Sequence, residues 1–417
     1  MVLKIPKFKD TEKVVYLVFL LIPVVQLLNS FIMFSAGESM FGKIFRLLTL
    51  IVMLLLCKGK IKSQILTIIL ILLFSCGTTV VVDTFRGIKL GTIEWINSIL
   101  KLLSPMIYYA SLDTLCEARR IREKVIHAIL ISWSFFLTVS MIVPYFLGLG
   151  YYKYEGNGYT GFYYENDSLN IVLCCLLLYV FNYAVNQREK KYYLLAAMLF
   201  GTVVLTGSKT SLMYAVVVCF YVLFLNKKIS ILRLFKRLLL LLLMLVVTLV
   251  VINTLEDNII SKQIAYYVEV YKWSTTIGGD TSLAVFTNGR TSKALYCMTN
   301  LWSANNILDV LFGIGGYGAE MDFFDTYMKF GLVPILIICF LCWLVARKCS
   351  RHDVYSFALL LILIYAFVAG HVVESSFTCG LLALFVLSLK FKNIENAARQ
   401  TLGKAENERD CGCYDCI

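Results

Sequence analysis

The chain has 417 residues, of which 59% are hydrophobic and 16% charged, and its mean hydropathy is +0.77. That balance excludes an ordinary soluble domain. The formal net charge of +12 follows from the sidedness of the basic loops, so a nucleic-acid partner is unnecessary.

Apolar runs long enough to cross the hydrocarbon core recur along the chain. At roughly 20 apolar residues per span there are about twelve, centred near Leu21, Leu50, Leu70, Leu102, Phe136, Leu176, Leu199, Val218, Leu242, Ile338, Leu361 and Leu384. The prediction is an all-α, polytopic integral membrane protein. One membrane domain is expected over 1–395, with a large loop at about 256–331 and a tail at 396–417. Lys4, Lys7, Lys9 and Lys13 precede the first span, which is longer than a signal-peptide apolar region and lacks a convincing cleavage site, so it reads as retained.

Every second loop is basic. Lys58, Lys60 and Lys62 follow the second span; Arg119, Arg120, Arg122 and Lys124 the fourth; Arg188, Lys190 and Lys191 a later one. Lys227, Lys228, Arg233, Lys236 and Arg237, then Arg347, Lys348 and Arg351, and finally Lys390 and Lys392 continue the series. Basic loops stay on the cytoplasmic side, which predicts both termini inside and the 256–331 loop outside. Of the 14 cysteines only Cys297 clearly falls in that loop. A disulfide framework is therefore not expected there, and Cys411, Cys413 and Cys416 on the tail are too few for a confident metal site.

Three regions face outward. The first, Gly150 to Asn170, is dense in Tyr, Gly and Asn. The second is the turn Thr206-Gly207-Ser208-Lys209-Thr210-Ser211 between two spans. The third is the long loop, in which Asp257 to Lys272 and Ser292 to Leu311 read as interfacial or capping helices and Asn288-Gly289 as a turn. The run Gly313 to Gly318 superficially resembles a phosphate cradle, but lacks the strand–helix context of one; a close-packed backbone bend fits better.

Several residues in these regions have the chemistry of an anion or sugar site. Ser208 and Lys209 combine a hydroxyl, exposed backbone amides and an ammonium; the alternative is a helix–helix turn with a snorkelling lysine. Arg290 follows a turn and opens a helix, and is either an anion contact or a surface arginine. His371 and Glu374 share a helix face near the start of the last span, with Ser375 and Thr378 extending the stripe. Glu165, Asp167, Asp322 and Asp325 are carboxylates able to serve as a general base, or are simply solvated. Tyr151, Tyr152, Tyr154, Tyr159, Tyr163 and Tyr164 are sugar-stacking candidates or part of an interfacial aromatic belt.

The order of short motifs resembles the O-antigen ligase and polymerase family of bacterial polysaccharide-assembly membrane proteins. It comprises Gly161, Phe162 and Asn166; Thr206 to Lys209; Gly289 and Arg290 with Trp302; Leu311 to Gly315; then Asp325, Tyr327, Gly331 and Leu332. The resemblance covers roughly 161–332. It implies a glycosyltransferase of about twelve helices in the bacterial cytoplasmic membrane. Its donor would be an undecaprenyl-diphosphate-linked oligosaccharide, with no metal or other cofactor and with a flippase and a chain-length regulator as partners. Arg290, Asp325, His371 and Glu374 would then carry the chemistry, and Lys209, Ser208, Asn166 and Tyr327 would hold substrate. Two departures favour the polymerase branch over the ligase branch: Lys209 stands where many members have arginine, and the large loop has no histidine. A flippase for lipid-linked oligosaccharides and a non-catalytic scaffold are the rival classes. A flippase would be expected to show paired repeats, which the sequence does not display.

Overall fold

The computed structural model describes residues 8–37, 39–87, 92–154, 157–222, 268–269, 271–272, 275, 287, 289–301, 306–315, 318–348, 353–368, 370, 372, 375 and 377–392. The chain runs α1 (Asp10–Ala36), α2 (Phe41–Leu56), α3 (Ser63–Phe85), α4 (Thr92–Glu117), α5 (Glu123–Phe146), β1 (Tyr151–Tyr154), β2 (Asn157–Gly161), α6 (Asn166–Gln187), α7 (Lys190–Leu205) and α8 (Lys209–Phe220). After an undescribed stretch come α9 (Arg290–Tyr296), α10 (Ile307–Phe312), α11 (Asp322–Phe330), α12 (Leu332–Lys348) and α13 (Val354–Val368), then α14 (377–392). Among the described residues the protein is all-α apart from one hairpin.

Among the described residues four helices, α1, α3, α5 and α6, are long and apolar enough to cross a membrane. The predicted span centres fall in α1–α8 and α12–α14, except Leu242, which lies outside the described residues. α3 shows why a bilayer is the matching solvent. Leu66, Leu70, Phe74, Val81 and Phe85 point outward, with Phe74 and Phe85 76% and 89% exposed. Their spacing makes one helical stripe. In water such a continuous apolar face would be costly; lipid covers it without that cost.

α6 is buried nearly all round and occupies the centre, packed by α5, α7, α8 and α13. α14 fills the space beside α1 and α5: Gly380 meets Ile22, Trp133 and Phe19, and Trp133 packs on Phe377 with centroids 5.4 Å apart. Polar seams join the helices. Trp133 Nε1 donates to the Phe19 carbonyl at 2.8 Å, and Thr49 and Tyr108 hydroxyls meet at 2.8 Å.

The end of the bundle carrying the basic loops is tied by ion pairs. Lys62 Nζ lies 2.6 Å from Glu117 Oε1 and 3.2 Å from Asp113 Oδ2, and Lys390 joins the same two carboxylates. The hydrogen bond to Glu117 holds the Lys62 ammonium above its ordinary range. Arg122 pairs with the buried Glu12, and Lys392 with the buried Asp353.

At the opposite end lies the hairpin, which helical hydropathy does not announce. β1 and β2 pair antiparallel, Tyr152 opposite Tyr159, with an irregularity at Tyr151/Tyr152. Tyr159 and Tyr163 are buried, and Tyr163 stacks on Phe377 at 6.3 Å. Tyr152 and Tyr164 stay exposed. The tyrosines thus divide between packing the hairpin onto the bundle and facing outward.

Of the expected loop helices, Asp257 to Lys272 lies largely outside the described residues. The Ser292 to Leu311 region contains α9, a π-helical turn (Cys297–Leu301) that continues it, and α10. The glycine run begins as the close-packed bend expected. Gly313 has φ 76°, and a Cβ there would sit 2.4 Å from the Met328 carbonyl oxygen.

Candidate functional site

Arg290 is placed by its turn. Gly289 has φ 78°, in the left-handed region that glycine enters without a Cβ penalty, and α9 starts at the next residue. Thr291 N donates to Thr287 Oγ1 at 3.3 Å and the two threonine hydroxyls meet at 3.0 Å, which secures the first turn. The arginine does not lie on the surface: it is 5% exposed and turned into the bundle. Its Nη2 donates to Asp167 Oδ2 at 2.6 Å, reaching the first turn of the central helix α6.

Two further charges join the pair. Glu320 Oε2 lies 3.7 Å from Arg290 Nε, and Glu320 Oε1 accepts from Lys293 Nζ at 2.6 Å. The four charges sum to zero by formal count. The buried pair at the centre is stable only while both partners stay: removing one leaves the other uncompensated, at a cost of about 3–5 kcal/mol.

The loop that presents Glu320 is pinned from two sides. Asp325 accepts from Ala319 N at 2.6 Å and from Met321 N at 3.0 Å, using both carboxylate oxygens. Asp322, 3% exposed, accepts from Val372 N at 2.7 Å and so holds the segment before α14. Glu320 itself has φ 63°, a strained position for a residue with a Cβ. Gly370 packs behind it, where an added Cβ would fall 2.0 Å from the Glu320 carbonyl oxygen.

Buried polar atoms without partners accompany these charges at this end of the bundle. Asn166 and Asn170 lie one turn apart on α6, at 1% and 0% exposure. Neither amide has a hydrogen-bond partner among the described residues, and the same holds for the Tyr365 hydroxyl and Ser375 Oγ. Buried amides and hydroxyls are nearly always satisfied, so this group gives that end of the bundle a polar interior able to hydrogen-bond a polar ligand or water.

The remaining predicted residues are placed as follows. Ser208 precedes α8, and its carbonyl accepts from Leu212 N and from Ser211 Oγ, each at 3.0 Å. Lys209 begins α8, with its side chain outside the described residues. His371, Glu374 and Trp302 also lie outside them. Tyr327 is half-buried against Cys297, Ile314 and Met328. Burial, and then the Asp325 carboxylate, push the Cys297 thiol up.

Arg290 and Asp167 are therefore brought together, with Asn166 buried next to Asp167 in the first turn of α6. Asp325 is engaged by the backbone of its own loop. Lys293, Glu320, Asn170 and Tyr365 were missed by sequence reasoning. Only Lys293 had a usable signal there, its i,i+3 spacing from Arg290.

Comparison of the chain with models of protein families finds no match, and comparison with curated proteins finds none.

Proposed function

We propose that the protein is a polysaccharide polymerase. It joins undecaprenyl-diphosphate-linked oligosaccharide repeat units on the outer face of the bacterial cytoplasmic membrane, with about twelve spans, both termini inside and the 256–331 loop outside. The observation that carries this reading is the buried Arg290–Asp167 pair accompanied by buried amides and hydroxyls without a partner among the described residues. It sits at the end of the bundle opposite the basic loops, where the positive-inside bias puts the extracytoplasmic side. A lipid-linked diphosphate sugar would present phosphate oxygens and hydroxyls to such a lining.

In the reaction, a hydroxyl of one lipid-linked chain attacks the anomeric carbon of another. A glycosidic C–O bond forms as the C–O bond to the diphosphate breaks, and the diphosphate departs with the electron pair. Arg290 is the cation placed to meet the charge developing on the leaving group; charge-assisted bonds of this kind contribute about 1.5–3 kcal/mol each. Glu320, half-exposed beside Arg290 and in a strained backbone position, is the carboxylate placed to take the hydroxyl proton. It replaces Asp325 in that role because both Asp325 oxygens hold amides.

The test is electrophoresis of surface glycan and lipid-linked intermediates from a strain lacking the protein, complemented with wild type, Arg290→Lys or Glu320→Gln at matched membrane abundance. Single repeats outside the cell without long chains, restored only by wild type, support the polymerase. Long polymer retained on its lipid carrier would make it a ligase instead. Repeats trapped inside would make it a flippase, and an unchanged profile would end the reading.

A further inference from the structure

A second polar site lies at the same end of the bundle, built by α2 and α4, which the Arg290 site does not use, and by the far end of α11. A pocket of about 330 Å³ opens between the first turn of α2, the first three turns of α4 and the last turn of α11. Lys43, Lys101 and Lys329 line it, against the single carboxylate of Glu94. Trp95, 4% exposed and packed on Phe330 at 5.7 Å, and Asn97 complete the wall used here. Neither Lys43 nor Lys329 makes an ion pair among the described residues. Lys329 rests only near the ring of its neighbour Phe330, at 6.0 Å.

Behind this wall stands Arg46, 7% exposed. Its Nη1 reaches Asn97 Oδ1 at 3.4 Å, its Nε has no partner, and no carboxylate pairs with it among the described residues. A buried cation without a counter-charge is costly unless something supplies the missing anion. The N-terminal turns of α2 and α4 add their positive dipole ends to the same place. The pocket also runs against the positive-inside bias, since its basic residues sit at the end away from the basic loops.

We infer that this pocket binds a phosphate or diphosphate group. Under the polymerase reading, on which this assignment of the ligand rests, it holds the diphosphate of the second lipid-linked chain, the one whose sugar accepts. The reaction needs two such chains at once, and the Arg290 network accounts for one. The pocket size is at the small end of ligand sites, which suits a head group whose sugar and lipid extend beyond it.

The experiment uses the full chain in phosphatidylcholine nanodiscs, titrated with inorganic pyrophosphate, inorganic phosphate and a short-chain isoprenyl diphosphate. Wild type should bind pyrophosphate and the isoprenyl diphosphate. The Lys43→Gln/Lys329→Gln double variant should lose at least about tenfold in affinity, as expected when two charge-assisted contacts go. Glu94→Gln, which removes the one negative charge, should tighten binding severalfold; this variant keeps the test decisive if the double variant fails to fold. Unchanged affinity in the variants would overturn the site. So would loss of pyrophosphate binding when phosphatidylglycerol is added to the nanodiscs, because the occupant would then be a bilayer head group. Binding of inorganic phosphate as strong as that of pyrophosphate would reduce the ligand to a free monophosphate and overturn the diphosphate assignment. None of these readings depends on polymer formation, so an unchanged glycan profile would end the polymerase reading while leaving the anion pocket standing.

Discussion

Two arginines at the same end of this bundle are buried to nearly the same degree and live in opposite electrostatic conditions. Arg290, 5% exposed, is matched by Asp167 and lies near Glu320, which also holds Lys293. Arg46, 7% exposed, has an asparagine for a partner and lysines for neighbours across the wall. The difference separates two ways of making an anion site. A compensated arginine is held in place before substrate arrives and contributes to folding. An uncompensated one leaves the empty state strained and gains its counter-charge from the ligand.

The largest expected effect breaks the compensated side. Arg290→Met leaves Asp167 buried without its partner and should destabilise the protein by about 3–5 kcal/mol, read as loss of thermal stability in detergent. Pairing it with Asp167→Leu should recover a large part of that loss, since two apolar groups replace two charges. A double variant no more stable than Arg290→Met alone would show that the pair contributes little to the fold and that the comparison is misdrawn. Glu320→Gln tests the same site for chemistry. It should leave stability nearly unchanged and lower polymer formation about a hundredfold, the low end of what a general base contributes; wild-type turnover would return the base role to a residue elsewhere.

Each site is also positioned by a glycine, which gives the next effect. Gly370 backs Glu320, and Gly331, with φ 77°, ends α11 just after Lys329. An added Cβ at Gly331 would fall 2.0 Å from the Leu311 carbonyl oxygen. Gly331→Ala should therefore cost about 2–3 kcal/mol through backbone strain and displacement. It should also weaken pyrophosphate binding, because Lys329 moves with the helix end, whereas Gly370→Ala should spare that binding. Equal loss of binding in both variants would mean that the two regions are mechanically one.

How much of this was legible in the sequence follows from the range of the forces involved. The long apolar helices are local, and α1, α3, α5 and α6 are written in their own composition. Gly289 and Arg290 were legible as a turn and a cation because a glycine before a helix start is a local signal too. The choice of Asp167 as counter-ion was not, since it joins residues separated by 123 positions and depends on how α9 docks on α6. The hairpin at Tyr151–Gly161 escaped because glycine and asparagine interrupt its alternation. The lysine pocket escaped for a different reason. Lys43, Lys101 and Lys329 come from three helices, and each alone reads as a snorkelling lysine near a span end. Their joint signal was their side: basic residues at the end where the loop bias leaves few.

The smallest effect has the opposite sign from the first and is the sharpest test of the contrast. Arg46→Met removes a buried charge that no carboxylate among the described residues balances and substitutes a flexible apolar chain of similar length. Without ligand, the variant should be more stable than wild type by about 1–2 kcal/mol, the desolvation cost of a buried polar group lacking its partner. With saturating pyrophosphate the order should reverse, because wild type gains binding free energy that the variant forgoes. Two thermal melts per protein, with and without pyrophosphate, measure both. A variant less stable than wild type in the ligand-free state would mean that Arg46 is already compensated, which would make it a second Arg290 rather than its counterpart.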